Sequence, residues 1–121
     1  MILQPQSDIP HFRRFIREIG WQIVEEELIR EDGKFYPMMK AVRNNSGEKT
    51  VYTEEEAWFG PLLLEKSHPV LKEYLLREEM IRKKILAGLS GAESVSAKTR
   101  LAEVKEEMEL IHTALKRYES I

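Results

Sequence analysis

The sequence predicts an α+β chain in which one helix and an antiparallel β-hairpin are followed by an antiparallel helical hairpin of coiled-coil type. Three observations predict it. An Asp32-Gly33 pair separates two runs rich in β-branched and aromatic residues, the preferred short-range hairpin signal, because Gly takes φ > 0 without a Cβ clash. At Thr53 the character changes, since Thr53-Glu54-Glu55-Glu56 is a capping box in which hydroxyl and carboxylate satisfy orphan backbone donors reciprocally. Beyond Pro69, two apolar seams recur at spacings of three and four, joined by a small polar stretch. The 121 residues suit one compact domain or a small domain plus an extension; 42% hydrophobic residues suffice for a core, and 33% charged residues fit a narrow-seamed helical remainder. The organisation expected is a first domain over 1–52 and a helical domain over 53–121.

In chain order, Ile2-Leu3-Gln4-Pro5 is an apolar pair running into a proline that cannot donate to a sheet ladder, so it reads as the end of a strand. Ser7 or Asp8 is the candidate N-cap of a helix with Pro10 in its first turn. Ile9, Phe12, Phe15, Ile16 and Ile19 form one face of that helix, and Gly20 supplies its left-handed stop. The strands of the hairpin run from Trp21 to Ile29 and from Phe35 to Val42, around Glu31-Asp32-Gly33-Lys34. Pro37 inside the second run places that strand at an edge or puts a bulge there. Asn44-Asn45-Ser46-Gly47 reads as a loop.

From the capping box a short helix runs to Phe59-Gly60-Pro61, which breaks it. His68-Pro69 opens a longer helix whose seam is Leu71, Tyr74, Glu78, Ile81 and Ile85, flanked by Leu75 and Leu76, with Glu78 its one polar member. Gly88 to Ala97 is a linker or turn. Leu101, Val104, Met108, Ile111, Leu115 and Tyr118 then repeat as a heptad seam. Two seamed helices joined by so short a loop favour an antiparallel pair.

Composition excludes several chemistries. With no Cys, disulfides and thiolate zinc sites are ruled out, and a reducing compartment is the easier home. Neither an apolar run long enough to span a membrane nor a secretion signal is present, so a cytoplasmic, soluble protein with no membrane partner is expected. Net charge is −2; cut at Tyr52, the chain carries 8 basic against 8 acidic residues, then 11 against 13, so any RNA contact must come from a local patch. His11, His68 and His112 are isolated, which argues against a metal site, and no Gly-x-Ser-x-Gly frame or Gly-rich phosphate loop occurs. Adjacent residues face different ways, so Glu25-Glu26-Glu27 and Glu54-Glu55-Glu56 read as solvated charge. The basic residues are the candidates for phosphate contact: Arg13, Arg14 and Arg17 within one turn, and Arg77, Arg82, Lys83 and Lys84 on the long helix.

Four segments in order, Ile2-Leu3-Gln4-Pro5, Phe12-Arg13-x-Phe15 with Gly20-Trp21, Arg30-Glu31-Asp32-Gly33-Lys34-x-Tyr36 and Phe59-Gly60-Pro61-Leu62-Leu63, with a helical hairpin after them, resemble the C-terminal half of the bacterial tRNA (adenine-22-N1)-methyltransferases. The resemblance covers nearly the whole chain. It implies an S-adenosylmethionine-dependent enzyme with a Rossmann-like domain, of which the first helix and hairpin here would be the C-terminal remnant, followed by a coiled-coil domain that holds tRNA. It also implies that the Leu-Gln-Pro segment ends the fifth sheet strand beside the active site, making Gln4 and Pro5 its rim, and that the Asp-Gly hairpin supplies the last two strands. Pro37 stands where relatives often carry Glu. The Gly-rich cofactor loop and the acidic ribose-binding residue of the family's N-terminal half do not occur in these residues. The chain is therefore expected to be a shortened family member that binds no cofactor and is inactive alone.

Two functions follow as expectations. The first is a C-terminal methyltransferase fragment that supplies tRNA grip and active-site rim. The second is a coiled-coil module that binds a protein partner and has no enzymatic role. Self-association would use the exposed hairpin edge or the helical seam.

Overall fold

The computed structural model describes residues 2–5, 8–45 and 51–119. They form β1 (Ile2–Leu3), α1 (Ile9–Glu18), β2 (Trp21–Glu31), β3 (Lys34–Arg43), α2 (Glu54–Phe59), α3 (Pro61–Glu65), α4 (Pro69–Leu89) and α5 (Val95–Glu119). The strands make one antiparallel sheet in the order β1-β3-β2.

Local chemistry accounts for most boundaries. Asp8 caps α1, its Oδ1 accepting the His11 N–H at 3.4 Å, while Ser7 lies outside the described residues. Gly20 follows at φ 83° as the stop. Asp32 and Gly33 have φ of 51° and 75°, the pair of positive angles that a two-residue type I′ hairpin requires. Thr53 and Glu56 form the expected capping box, and Gly60 closes α2. The turn between the long helices is tighter than the Gly88 to Ala97 stretch predicts, because α4 continues to Leu89 and α5 begins at Val95. Of the loop after β3, Asn44 and Asn45 are described; Ser46 and Gly47 lie outside the described residues.

The sheet departs from expectation at Pro37. That residue lies in the central strand and pairs with Leu28 without a bulge. It is tolerated because β1 reaches only Met39 and Lys40. Continued by the same register, Pro5 would stand opposite Pro37, and neither has an N–H to give, so the ladder stops after Leu3. The bulge falls instead on β2, between Ile23 and Glu25, whose partners Ala41 and Lys40 are consecutive. One extra residue reverses the alternation of faces. Ile23 shares a face with buried Ala41, and after the bulge it is Glu26 and Leu28 that turn to that face, Glu26 opposite buried Met39.

The outer edge of β2, expected to be open, is occupied at three points. Tyr52 bonds the Ile23 backbone, Lys66 Nζ donates to the Glu26 carbonyl at 2.7 Å, and the Glu27 carboxylate accepts from the Leu28 backbone. Side chains on edge groups blunt a strand as a template for self-pairing.

The chain divides into two compact units, 1–71 and 72–121, beyond the 52/53 division expected from sequence. The physical reason is that α2 and α3 are tied to α1 and β2. Ile16, Leu28, Met39, Ala41, Ala57, Phe59, Leu63, Leu64 and Leu71 are the buried apolar residues of the first unit. In the second unit, Leu75, Val104, Met108, Ile111 and Ala114 are buried. There α4 and α5 run antiparallel, since Arg82 meets Glu107, Glu79 meets His112 and Lys72 lies over Tyr118. Glu78 earns its seam position by serving both Arg82, at 3.6 Å, and the Tyr74 hydroxyl, whose pKa is raised by burial and by that carboxylate.

Candidate nucleic-acid interface

Arg13 is not available to phosphate. Its side chain is 2% exposed, its Nε donates to Glu26 Oε1 at 3.1 Å and its Nη1 to the Ala57 carbonyl at 2.8 Å. Glu26, 3% exposed, completes the node: its Oε2 accepts the Leu62 and Leu63 N–H groups at 3.1 and 3.2 Å, the free donors at the start of α3. Both residues are thereby corrected, Arg13 from an RNA contact and Glu26 from solvated charge to halves of a buried ion pair. Gly60 lets the chain pass over this pair. A Cβ there would lie 2.4 Å from Glu26 Oε2 and 2.9 Å from Arg13 Nη2, and its φ of 95° disfavours any side chain. Burial pushes the nearby Tyr52 hydroxyl up in pKa, so it stays protonated beside the pair.

The other arginines of α1 do not converge with Arg13. Arg14 bonds Glu54 at 2.7 Å, and Arg17 keeps a buried Nε with no partner among the described residues. A cleft of about 630 Å³ lies along the sheet, lined by Ile2, Val24, Met38 and Leu62 and rimmed by Glu25, Glu27, Glu65, Lys40 and Lys66. Its excess of carboxylates makes it a poor seat for phosphate. At this rim His68 Nε2 meets Glu27 Oε1 and His68 Nδ1 accepts the Val70 N–H at 3.2 Å, capping α4. The His68 hydrogen bond, with Lys66 nearby, holds the Glu27 carboxyl below its usual range. Gln4 is exposed and Pro5 half-buried just past β1.

On α4 the candidates separate. Arg82 turns to α5 and pairs with Glu107 at 3.1 Å, so it belongs to the interhelical network. Arg77, Lys83 and Lys84 are exposed, and Lys72, missed from the sequence because it stands apart from the Arg77–Lys84 cluster, joins them. At 100° per residue these four lie within an arc of about 140° on the side away from Leu75. Leu76 and Met80, 47% and 54% exposed, share that arc. Lys72 sits 6.0 Å from the Tyr118 ring centroid, and burial pushes the Tyr118 hydroxyl up to about 12, leaving the ring neutral beneath the cation. Lys83 is only loosely held by Glu79, at 3.7 Å. No three His, Asp or Glu side chains gather into a metal site among the described residues, and none of their helices is long and apolar enough to cross a membrane.

These segments match a known family. The profile of the tRNA (adenine(22)-N(1))-methyltransferases, TrmK, aligns with residues 1–113. The chain belongs to the TrmK family. A Mycoplasma pneumoniae protein named "Putative tRNA methyltransferase" is 38% identical to it over 63 residues, 52% of this chain and 29% of that protein. The structure of an uncharacterized protein from Listeria monocytogenes serotype 4b superposes with a TM-score of 0.85 at 26% identity, covering 94% of this chain and 50% of that one. Streptococcus pneumoniae Sp1610, solved in complex with S-adenosyl-L-methionine, has a TM-score of 0.76 at 22% identity over 94% of this chain and 46% of its own. This TrmK-family chain thus spans about half the length of the solved relatives it matches.

Proposed function

We propose that the chain acts in S-adenosylmethionine-dependent N1-methylation of an adenine in tRNA, in the cytoplasm, and that its own part is to grip the tRNA and form the active-site rim. The family match over residues 1–113 carries the reading. The rim falls to Gln4 and Pro5. The grip falls to Lys72, Arg77, Lys83 and Lys84, with Arg14 and Arg17 as secondary contacts. Cations on one exposed helix face suit a phosphate backbone, and they confer affinity without sequence preference. The α4–α5 pair carrying them is of coiled-coil type, an assignment supported by the antiparallel contacts and by Val104, Met108 and Ile111 lying buried on its seam.

We read no seat for the methyl donor among the described residues. Of the glycines, Gly20 ends a helix, Gly33 makes the hairpin turn and Gly60 is filled by Glu26 and Arg13, so none of these forms a phosphate or ribose cradle. Calorimetry with S-adenosylmethionine should accordingly show no saturable heat, and labelled methyl transfer to unmodified tRNA should equal the blank. For the grip, a salt titration of tRNA binding decides. Lys83→Ala with Lys84→Ala should weaken binding to all tRNAs alike and flatten the salt slope by about two units. An unchanged slope would refute the grip, and incorporation above blank would refute the assignment of a partial role.

A further inference from the structure

The outer face of α4 is more than a row of charges. Around the helix, Lys72 and Lys83 stand at one edge of the arc and Arg77 and Lys84 at the other, with exposed Leu76 and Met80 between the two edges. At 100° per residue about 120° separates the middles of the two cation pairs. One acidic residue, Glu73, shares the arc, with Glu79 just outside it against Lys83; over their whole lengths α4 carries five Lys and Arg against three Glu, and α5 five against five. We propose that this face docks on double-stranded RNA across its minor groove, the two cation pairs on the phosphates of opposite strands and Leu76 and Met80 over the shallow floor between them.

The inference rests on the tRNA reading and narrows it to a paired stem. The charge complementarity is to phosphate at both edges of the face, not at one, and an unpaired strand offers no second wall. The wide, shallow minor groove of an A-form helix admits an apolar contact between its phosphate walls, whereas the major groove is too deep and narrow for side chains to reach. Lys72 lies over the Tyr118 ring and is oriented before RNA arrives, while Lys83, only loosely tied to Glu79, is left to turn to a phosphate.

The test uses the whole chain and three labelled probes: a short RNA hairpin with a fully paired stem, the DNA hairpin of the same sequence, and an unpaired RNA of equal length. The RNA stem should bind about tenfold more tightly than either alternative. Leu76→Glu, at an exposed position where far-ultraviolet dichroism should be unchanged, should abolish the preference, and Lys105→Ala on α5 should leave it intact. Equal affinity for unpaired RNA would overturn the proposal, as would parental binding by Leu76→Glu. A concentration-dependent dimer that Leu76→Glu dissolves would assign the patch to a second copy and overturn it too. If tRNA binds but the stem does not, this inference alone falls; if neither binds, the grip falls with it.

Discussion

Replacing Gly60 by alanine makes two demands that the site cannot meet together: a left-handed φ for a residue with a Cβ, and room where the Glu26 carboxylate already sits. Strain at such a position costs about 1–3 kcal/mol before any shift of the ion pair. Arg13→Met, which strands the Glu26 charge, should cost about 3–5 kcal/mol, and the double variant Arg13→Met with Glu26→Leu should lose less than the single losses added together. Urea midpoints of the Gly60→Ala, Arg13→Met, Glu26→Leu and double variants measure these losses. Glu27 gives a different, pH-dependent signature. Its folded pKa is lowered by His68, so the contribution is present above the unfolded value of about 4.3 and is lost as pH falls through the folded value. The stability gap between the parent and Glu27→Gln should therefore be open at neutral pH and close in acid. Gaps of equal size at both would remove the His68 contact from consideration.

Among the elements, the turns and caps were legible because each is written in a few adjacent residues: Asp32-Gly33, the Thr53 box and Pro69. Arg13 and Glu26 were not. Periodicity names the candidates for an inner face but cannot tell which glutamate of three is chosen when a bulge at Val24 changes the parity, and the partner lies on another element. The helical seams show a smaller shift of face. Leu75, expected to flank the seam, is fully buried, and near the end of α5 it is Ala114, beside the expected Leu115, that is fully buried. Leu75→Ala should accordingly cost about 2–5 kcal/mol, and Leu76→Ala, on the exposed side, within about 0.5. Thermal unfolding of the two variants checks the assignment of faces; similar losses would mean that the helix is rotated.

For the molecule as a whole, the two compact units can be followed separately. Trp21 and Trp58 both lie in residues 1–71, and residues 72–121 contain no tryptophan, whereas α5 and most of α4 lie in the second unit. Intrinsic fluorescence therefore reports the first unit and helical dichroism chiefly the second. Arg13→Met should move the fluorescence midpoint further than the dichroism midpoint, and Val104→Ala should do the reverse. Midpoints that always move together would show one cooperative block. The candidate site is likewise split in what the sequence reveals. Lys83 and Lys84 announce themselves as neighbours, but their alignment with Lys72 depends on α4 running unbroken from Pro69 to Leu89.

The Gly60 crossing also bears on the order of folding. The β2–β3 hairpin closes on a two-residue turn and needs only local contacts, whereas Arg13 reaches Ala57 across 44 positions and Glu26 reaches Leu62 across 36. Contacts that close long loops carry their entropy cost before they stabilise anything, so the hairpin is the natural nucleus and the stretch through α2 and α3 locks last. Gly60→Ala should then leave the refolding arm of a chevron nearly unmoved and raise the unfolding rate. Slowed refolding would instead place this crossing inside the nucleus.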